Sequence, residues 1–173
     1  MNRSKVWLIT FGSSIVAIQI ILGSLLSVQF LLTKISFSFI AMALSARVFR
    51  PHITAGLAAL AYTLGMILFP KFTFFPGFIL TAFLAGLIFG YALYKKVTLL
   101  RIMLANFLVT FGVYLFLNSL WLNMLYQTPW SFLLSTRFIQ EVITFTVYTA
   151  ILILLFKIPT INHLTEKGRQ YTK

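Results

Sequence analysis

The side chains best suited to chemistry lie late in the chain, in the stretch STRFIQEVITFTVY at residues 135–148. It contains Arg137 and Glu141, and Glu141 is one of only 2 acidic residues in the sequence. A helical spacing of four residues separates the two side chains by ~6 Å along the axis. They could pair with each other. Alternatively, Glu141 could accept hydrogen bonds from a ligand while Arg137 binds a ligand anion.

Other polar side chains group near this pair in the sequence. A loop is predicted at residues 121–132, which Trp121 begins and which Asn118 and Gln140 flank. We predict that these three residues belong to the same site as Arg137 and Glu141. A further two polar residues, Gln19 and Asn106, lie inside long apolar runs. For these two we predict hydrogen bonds between helices, because a polar group surrounded by lipid needs a partner.

The residue types exclude most catalytic chemistry. The chain has no cysteine and no aspartate, and its only histidines are His52 and His163. A cysteine nucleophile, a thiolate metal site and an aspartate-rich Mg²⁺ site are therefore excluded. Glu141 also lacks a second group with which to share general acid–base work. We expect neither an enzyme nor a bound cofactor or metal.

The composition identifies the solvent that the chain folds in. Of its 173 residues, 60% are hydrophobic and only 9% are charged, whereas a soluble domain carries far more charge. The sequence therefore predicts an integral membrane protein that folds in the lipid bilayer. The net charge of +12 raises the possibility of nucleic-acid binding. We favour basic cytoplasmic loops as its explanation and expect no nucleic-acid partner.

The elements that must position these residues are apolar runs separated by charged or proline-containing segments. Each run long enough to cross the bilayer predicts a helix, and prolines such as Pro51 and Pro76 mark the breaks between runs. The predicted fold is an all-α membrane protein, a single domain over residues 1–173, with six transmembrane helices at about 6–32, 35–47, 51–69, 77–94, 98–120 and 131–157. Residues 121–132 are expected to form an aromatic loop, and a polar tail follows residue 157.

The basic residues indicate the orientation of the six helices. An even number of helices places both termini on one side, and Lys and Arg concentrate in cytoplasmic loops. With both termini in the cytoplasm, 11 of the 14 basic residues face inward: Arg3, Lys5, Arg47, Arg50, Lys95, Lys96, Arg101, Lys157, Lys167, Arg169 and Lys173. The remaining 3 face outward: Lys34, Lys71 and Arg137.

All three outward basic residues lie beside aromatic or polar clusters. Lys34 precedes the segment ISFSF, which contains Phe37, and Lys71 lies in FPKFTFFPG, which contains Phe74 and Phe75. Two prolines stiffen this second segment, and a stiff aromatic loop suits a lid over a flat ligand. The pattern predicts an outward-facing ligand pocket with a basic, aromatic rim. Interfacial aromatic residues and lysines that reach the headgroups are the alternative explanation.

Several stretches together resemble a known family: KISFSFIAMALSA (34–46), FFPGFILTAFLAGLIFGYALYKK (74–96), LNSLWLNMLY (117–126) and RFIQEVI (137–143). They are similar to the folate-specific branch of the S components, the substrate-binding subunits of energy-coupling factor (ECF) vitamin transporters. The resemblance implies that the chain captures a vitamin outside a bacterial plasma membrane, most simply folate. It also implies delivery inward with a transmembrane T component and two cytoplasmic ATPases.

The resemblance implies roles for particular residues. In the family, helix 1 docks on the T component through small residues spaced by four, which here are Ser13 and Ala17, with Ser24 on roughly the same face. The flat pterin of folate would stack on aromatic rings, and its amino-pyrimidine edge would donate hydrogen bonds to Glu141. Its two carboxylates would suit basic residues at the mouth: Lys34, Lys71 and Arg137. The chain has no phosphate-binding loop, so ATP hydrolysis falls to the partners.

The sequence departs from the family pattern at three places. The segment RVFRP follows helix 2 where the family has a Gly-Pro loop, AYTLG replaces a segment with an acidic residue in helix 3, and Gly23-Ser24 replaces an arginine late in helix 1. These differences leave other ligands open, namely a queuosine precursor, hydroxymethylpyrimidine or cobalamin. A structural membrane-complex subunit without a ligand, and a membrane enzyme, are the alternatives from other classes.

Overall fold

The computed structural model describes residues 3–30, 33–70 and 73–171 of the chain, without the side chains of residues 3–5, 28–30 and 33–35. The described part is almost entirely helical. Its α-helices are α1 (Arg3–Ile20), α2 (Ser38–Val48), α3 (Pro51–Leu68), α4 (Gly77–Leu93), α5 (Leu99–Phe107), α6 (Ser119–Tyr126), α7 (Trp130–Lys157) and α8 (Pro159–Gln170). Two π-helical segments interrupt this pattern, Ile21–Leu25 after α1 and Leu108–Asn118 between α5 and α6.

Four helical stretches are long and apolar enough to cross a membrane. They are Val6–Leu25, Pro51–Leu68, Leu99–Tyr126 and Trp130–Lys157. Helices α2 and α4 are also apolar but shorter than these four. A bilayer core needs about 20 apolar residues per helix, and the described helices meet that need repeatedly. The prediction of a helical membrane protein is therefore confirmed.

The first helix is shorter than the sequence indicated. The predicted helix at 6–32 ends at Leu25, and a two-stranded antiparallel hairpin follows, β1 (Ser27–Phe30) with β2 (Thr33–Ser36). In its register, Val28 lies opposite Ile35. The hairpin segment is rich in β-branched and aromatic residues, which favour extended backbone. Its high hydrophobicity made it look like a continuation of the helix.

The fifth helix is longer than predicted. It continues through its π-helical segment and α6 to Tyr126, so most of the expected aromatic loop at 121–132 is helical. The turn that ends it is short, with Gln127 in the left-handed region at φ 53°. Pro129 precedes α7. Asn123 donates from Nδ2 to the Thr128 carbonyl at 2.7 Å, which holds this turn.

The expected polar tail after residue 157 folds as helix α8. Its Glu166 pairs with Arg47 of α2 at 2.7 Å between Oε1 and Nη2. Arg169 of α8 and Arg47 both donate to the carbonyl of Tyr94, at 2.7 and 3.2 Å. Cationic groups at the carboxyl end of a helix are stabilised by its dipole, and here they close the end of α4. The polar composition of α8 leads to the prediction of a tail without regular structure. The contacts that hold this helix are made with Arg47 and Tyr94, which lie far away in sequence.

The apolar core lies between α2, α4, α5 and α7. Its largest fully buried side chains include Phe39, Phe89, Leu93 and Leu152. Asn106 joins α5 to α7, since its Nδ2 donates to the Phe145 carbonyl at 3.0 Å and to Thr149 at 2.7 Å. The prediction of an interhelical hydrogen bond at Asn106 is therefore confirmed.

Helices α3 and α4 approach each other closely at two glycines of α4. A Cβ atom at Gly86 would lie 2.9 Å from the Ala55 Cα, and one at Gly90 would lie 2.6 Å from the Pro51 Cα. Small residues at such positions let helix backbones pack together in lipid. The contact fixes the positions of α3 and α4, which both line the cavity described below.

We expect Gly90→Ala to destabilise the protein by about 1–3 kcal/mol, because the new methyl group must push the backbone of α3 away. The midpoint of thermal unfolding in detergent should fall accordingly. Gly56→Ala is the matched control, because a Cβ at Gly56 would have no neighbour within 4 Å apart from the adjacent backbone of its own helix, and alanine is the better helix former. Equal midpoints for the two variants would contradict this account of the α3–α4 contact.

Candidate ligand-binding site

A cavity of about 200 Å³ lies among the helices. Its wall includes residues of α1, α2, α3, α4, α6 and α7, of both π-helical segments and of the end of β2. Aromatic side chains contribute much of the wall: Phe39, Tyr62, Phe69, Phe78, Tyr114 and Tyr126. Binding sites for small organic molecules have this character, a mostly apolar wall with a few polar groups.

One face of α7 supplies a column of polar groups to this cavity. Arg137, Glu141, Thr144 and Tyr148 are all buried and all line it. Their spacing of three or four residues keeps them on one side of a helix. Gln140 also lines the cavity beside them. The predicted chemistry near residues 135–148 therefore points inward, away from lipid.

The Arg137–Glu141 pair is the charged centre of the cavity. Only 5% of Arg137 and 2% of Glu141 is exposed. Arg137 Nη2 lies 3.6 Å from Glu141 Oε1 and 3.5 Å from the Tyr114 carbonyl. The first distance makes an ion pair but exceeds an ordinary hydrogen bond. The predicted i,i+4 pair is thus present, and it lies within the cavity wall.

Several buried polar atoms of the wall have no hydrogen-bond partner among the described residues. They are Glu141 Oε2, Asn118 Oδ1, Thr144 Oγ1 and Gln19 Nε2. An unsatisfied buried polar atom costs about 1–3 kcal/mol, so proteins rarely leave several together without use. The sequence predicts that Gln19 forms a hydrogen bond between helices. Its Nε2 instead makes no hydrogen bond to the described residues, and the side chain lines the cavity.

Tyr148 attaches the hairpin to α7. Its hydroxyl donates to the Ser36 carbonyl and accepts from the Ser36 N–H, the latter at 3.0 Å. Its ring stacks on Phe39 with centroids 3.7 Å apart and planes 15° from parallel. Ser36, Phe39 and Tyr148 all line the cavity. One side chain therefore fixes the end of the hairpin against the cavity wall.

Trp121 and Phe75 form a rigid aromatic cluster outside the cavity lining. Trp121 Nε1 donates to Thr81 Oγ1 at 3.0 Å, and its ring lies 5.7 Å from that of Phe75. A Cβ at Gly77 would lie 2.5 Å from the Trp121 ring, so a larger residue there would displace that ring. Thr81 itself lines the cavity. The cluster therefore supports the wall from behind, through Thr81.

The remaining predicted site residues lie elsewhere. Phe37 packs on Phe39 with ring centroids 6.5 Å apart, and Phe74 is half exposed. The side chain of Lys34 and the whole of Lys71 lie outside the described residues. Of the ten predicted ligand-binding residues, the cavity lining includes four: Asn118, Arg137, Gln140 and Glu141.

Sequence reasoning missed three tyrosines of the wall on α3, α7 and the second π-helical segment, namely Tyr62, Tyr148 and Tyr114, and the cavity position of Gln19. For Tyr148 a signal was available, because it follows Glu141 by seven residues and so shares its helix face. No comparable signal marks the other three, since they lie on α1, α3 and the second π-helical segment. Only the packing of those elements brings them to one cavity.

A second, open groove lies on the surface of α1 and α3. Ser13 and Ala17 line it together with Gly12 and Val16 of α1 and with leucines of α3: Leu57, Leu60 and Leu64. Ser24 is buried instead and lines the central cavity. The π-helical segment at Ile21–Leu25 changes the residues per turn, and this moves Ser24 off the face of Ser13 and Ala17.

The part of the chain that the structure describes contains no group of three or more His, Cys, Asp or Glu side chains placed to hold a metal ion. The polar groups of the cavity are amides, hydroxyls, one carboxylate and one guanidinium. This arrangement can bind a small molecule through hydrogen bonds and aromatic contacts.

The chain is similar to two curated proteins named folate transporter FolT. The one from Clostridium novyi (strain NT) is 31% identical over 170 residues, which cover 98% of this chain and 99% of the relative. The one from Leuconostoc mesenteroides subsp. mesenteroides is 33% identical over 141 residues, covering 78% and 76%. No protein-family model matches the chain.

The fold is also similar to a solved structure described as the crystal structure of FolT bound with folic acid. The TM-score is 0.79 and the sequence identity is 36%, over 83% of this chain and 88% of the other. A likeness at this identity and coverage extends over most of the helices described above.

We expect Tyr148→Phe to loosen the hairpin while keeping the ring stack on Phe39. Loss of the hydroxyl removes both bonds to Ser36, and hydrogen bonds contribute about 1 kcal/mol each. Amide hydrogen exchange in residues 33–36 should then accelerate by about tenfold or more. Tyr114→Phe is the control. It removes the same hydroxyl from another tyrosine of the cavity wall, on the π-helical segment Leu108–Asn118, whereas the bonds to Ser36 come from Tyr148. Unchanged exchange in Tyr148→Phe would show that other contacts hold the hairpin.

Proposed function

This chain belongs to the folate transporter FolT family, and from that membership we propose that it is the high-affinity folate-binding S component of an ECF transporter. In this role it captures folate outside the cell and delivers it inward. The relatives are named as transporters, which accords with a cavity built for binding. The observation that carries the proposal is the buried carboxylate of Glu141, with one oxygen unpaired among the described residues in an aromatic cavity.

The cavity chemistry suits the pterin end of folate. A flat heterocycle gains from aromatic walls, and its amino and ring N–H groups need acceptors. Glu141 Oε2 and Asn118 Oδ1 offer such acceptors, and neither has a partner among the described residues. We propose that Asn118, Arg137, Gln140 and Glu141 bind the ligand directly. Trp121 and Phe75 act indirectly in this proposal, by supporting the wall at Thr81.

The carboxylates of folate require positive charge at the mouth. Arg137 is buried beside Glu141, so its guanidinium serves the interior and offsets the carboxylate charge. We therefore propose that Lys34 and Lys71 receive the two ligand carboxylates. The segment with Lys71 and Phe74, and the strand that precedes Phe37, form the rim in this proposal.

We propose a single domain with six membrane spans and both termini in the cytoplasm of a bacterial cell. The two shorter apolar helices, α2 and α4, would complete the four longer spans. The excess of Lys and Arg in the loops assigned to the inside supports this orientation. The cavity would then open toward the outside, where folate is captured.

We propose that the open groove on α1 and α3 receives the T component, which works with two cytoplasmic ATPases. Its lining of Gly12, Ser13, Ala17 and leucines is small and apolar, and small residues let helices approach closely in lipid. Ser24 lies in the central cavity and is no longer part of the proposed interface.

The proposal on the ligand predicts that Glu141→Gln weakens folic acid binding by about 10–100-fold. A hydrogen bond to a charged group contributes about 1.5–3 kcal/mol, and 1.4 kcal/mol corresponds to a tenfold change in Kd. Calorimetry on the purified protein in detergent measures this directly. Val142→Ala is the control, because Val142 is partly exposed on the outer side of α7.

Unchanged affinity in both Arg137→Ala and Glu141→Ala would refute the proposed site. The identity of the ligand is tested separately, by mass spectrometry of small molecules that purify with the wild-type chain from a vitamin-rich medium. Recovery of a queuosine precursor, hydroxymethylpyrimidine or cobalamin in place of folate would retain the transporter class and change the ligand. A chain that binds no small molecule would support a structural subunit.

The proposal on partners predicts that Ala17→Trp prevents assembly and leaves folic acid binding unchanged. The indole would fill the groove, while the cavity residues stay in place. Co-purification with a tagged T component and the two ATPases measures assembly, and calorimetry measures binding. Leu154→Trp is the matched control, since it adds the same ring at an exposed position of α7. Normal assembly of Ala17→Trp would place the partner on another surface.

A further inference from the structure

Gln19 is the most deeply buried polar side chain that α1 brings to the cavity. It lies in the last turn of α1, immediately before the π-helical segment at Ile21–Leu25, and only 3% of it is exposed. Its Nε2 has no hydrogen-bond partner among the described residues. A buried amide donor without a partner is costly, so this position calls for an acceptor that the cavity itself does not supply.

The other unpaired groups of the cavity are not amide donors. Glu141 Oε2 and Asn118 Oδ1 are acceptors from α7 and the second π-helical segment, and Thr144 Oγ1 of α7 is a hydroxyl that can donate or accept. Together with Gln19 Nε2, the wall offers two acceptors, one amide donor and one hydroxyl from three separate elements. A ligand that satisfies all of them carries both hydrogen-bond donors and a hydrogen-bond acceptor.

A 2-amino-4-oxo pyrimidine ring has this pattern. Its 2-amino group and ring N–H donate, and the 4-oxo oxygen beside them accepts. If Glu141 takes the donors, as the proposed function holds, the oxo oxygen remains for a protein donor. Arg137 already contacts Glu141 and the Tyr114 carbonyl, and Thr144 Oγ1 lies on α7, the same helix as Glu141. Gln19 Nε2 is therefore the unpaired amide donor that another helix offers to this oxygen.

We propose that Gln19 is a specificity-determining residue, whose side-chain amide donates to the ring oxo group of the bound heterocycle. The inference rests on the proposed function of the cavity. It assigns to α1 a direct role in ligand choice. Gln19 lies four residues before Gly23-Ser24, the point at which this chain lacks the arginine of the family pattern. In this proposal Glu141 accepts hydrogen bonds from the donors of the ring, and Gln19 donates one to its oxo group.

The test replaces the hydrogen-bond donor at residue 19 with an acceptor, and it compares a ligand that has an acceptor at the matching position with one that has a donor there. Gln19→Glu replaces the donor with a carboxylate acceptor of nearly the same shape. Folic acid and its 4-amino analogue, in which a donor replaces the oxo group, serve as the two ligands. Calorimetry at about pH 8.5 favours the ionised form of the new carboxyl, which burial would otherwise disfavour. We expect the ratio of the two Kd values to shift toward the 4-amino analogue by about tenfold or more.

Two further variants make the result decisive. Gln19→Met removes the polar group without adding charge, and it should weaken folic acid binding by about tenfold. Gln170→Glu makes the same chemical change at an exposed position of α8 and should leave both Kd values unchanged. If Gln19→Glu binds neither ligand, a loss of folic acid affinity in a folded Gln19→Met variant still supports the proposal.

The proposal is overturned if wild type and Gln19→Glu show the same Kd ratio, or if Gln19→Met binds folic acid within twofold of wild type. Failure of the proposed function would give a different result. If the chain is not a folate-binding protein, the wild-type chain would bind neither folic acid nor its 4-amino analogue, and the co-purified molecule would belong to another chemical class.

Discussion

A carboxylate buried among membrane-spanning helices is the constraint that organises this structure. Only 2% of Glu141 is exposed, and an unpaired charge in a low-dielectric interior is very unfavourable. Arg137, one helical turn earlier, offsets that cost by forming an ion pair with Oε1 of Glu141. The other oxygen has no partner among the described residues. The chain therefore keeps a strong acceptor facing a cavity, where it is available to a ligand.

The rest of the fold holds this cavity open and in place. The glycines of α4 bring that helix close to α3, while the π-helical segments at Ile21–Leu25 and Leu108–Asn118 redirect the residues that follow them. Such segments occur often at functional sites. Tyr148 then fixes the hairpin against α7. Each device acts on the cavity wall, so rigid packing and binding chemistry involve the same elements.

Opposite ends of the molecule have different chemistry. Around the cavity, amides, hydroxyls and aromatic rings surround the single Arg137–Glu141 ion pair. Near the end of α4, Arg47, Glu166 and Arg169 make a dense ionic cluster that secures α8. The first set is suited to a ligand that binds and leaves. The second closes the bundle with the Arg47–Glu166 ion pair and with hydrogen bonds from both arginines to the Tyr94 carbonyl, and these contacts fix the position of the C-terminal helix.

The sequence alone determined the membrane class, the positions of most helices and the face of α7 that bears Arg137 and Glu141, because hydrophobicity and helical period are local properties. It predicted the interhelical bond of Asn106 but assigned the same role to Gln19. The hairpin, the helical α8 and the common cavity of Gln19, Tyr62, Tyr114 and Tyr148 were decided only by the tertiary structure. Their partners lie tens of residues away in sequence, and a local pattern holds no record of such contacts.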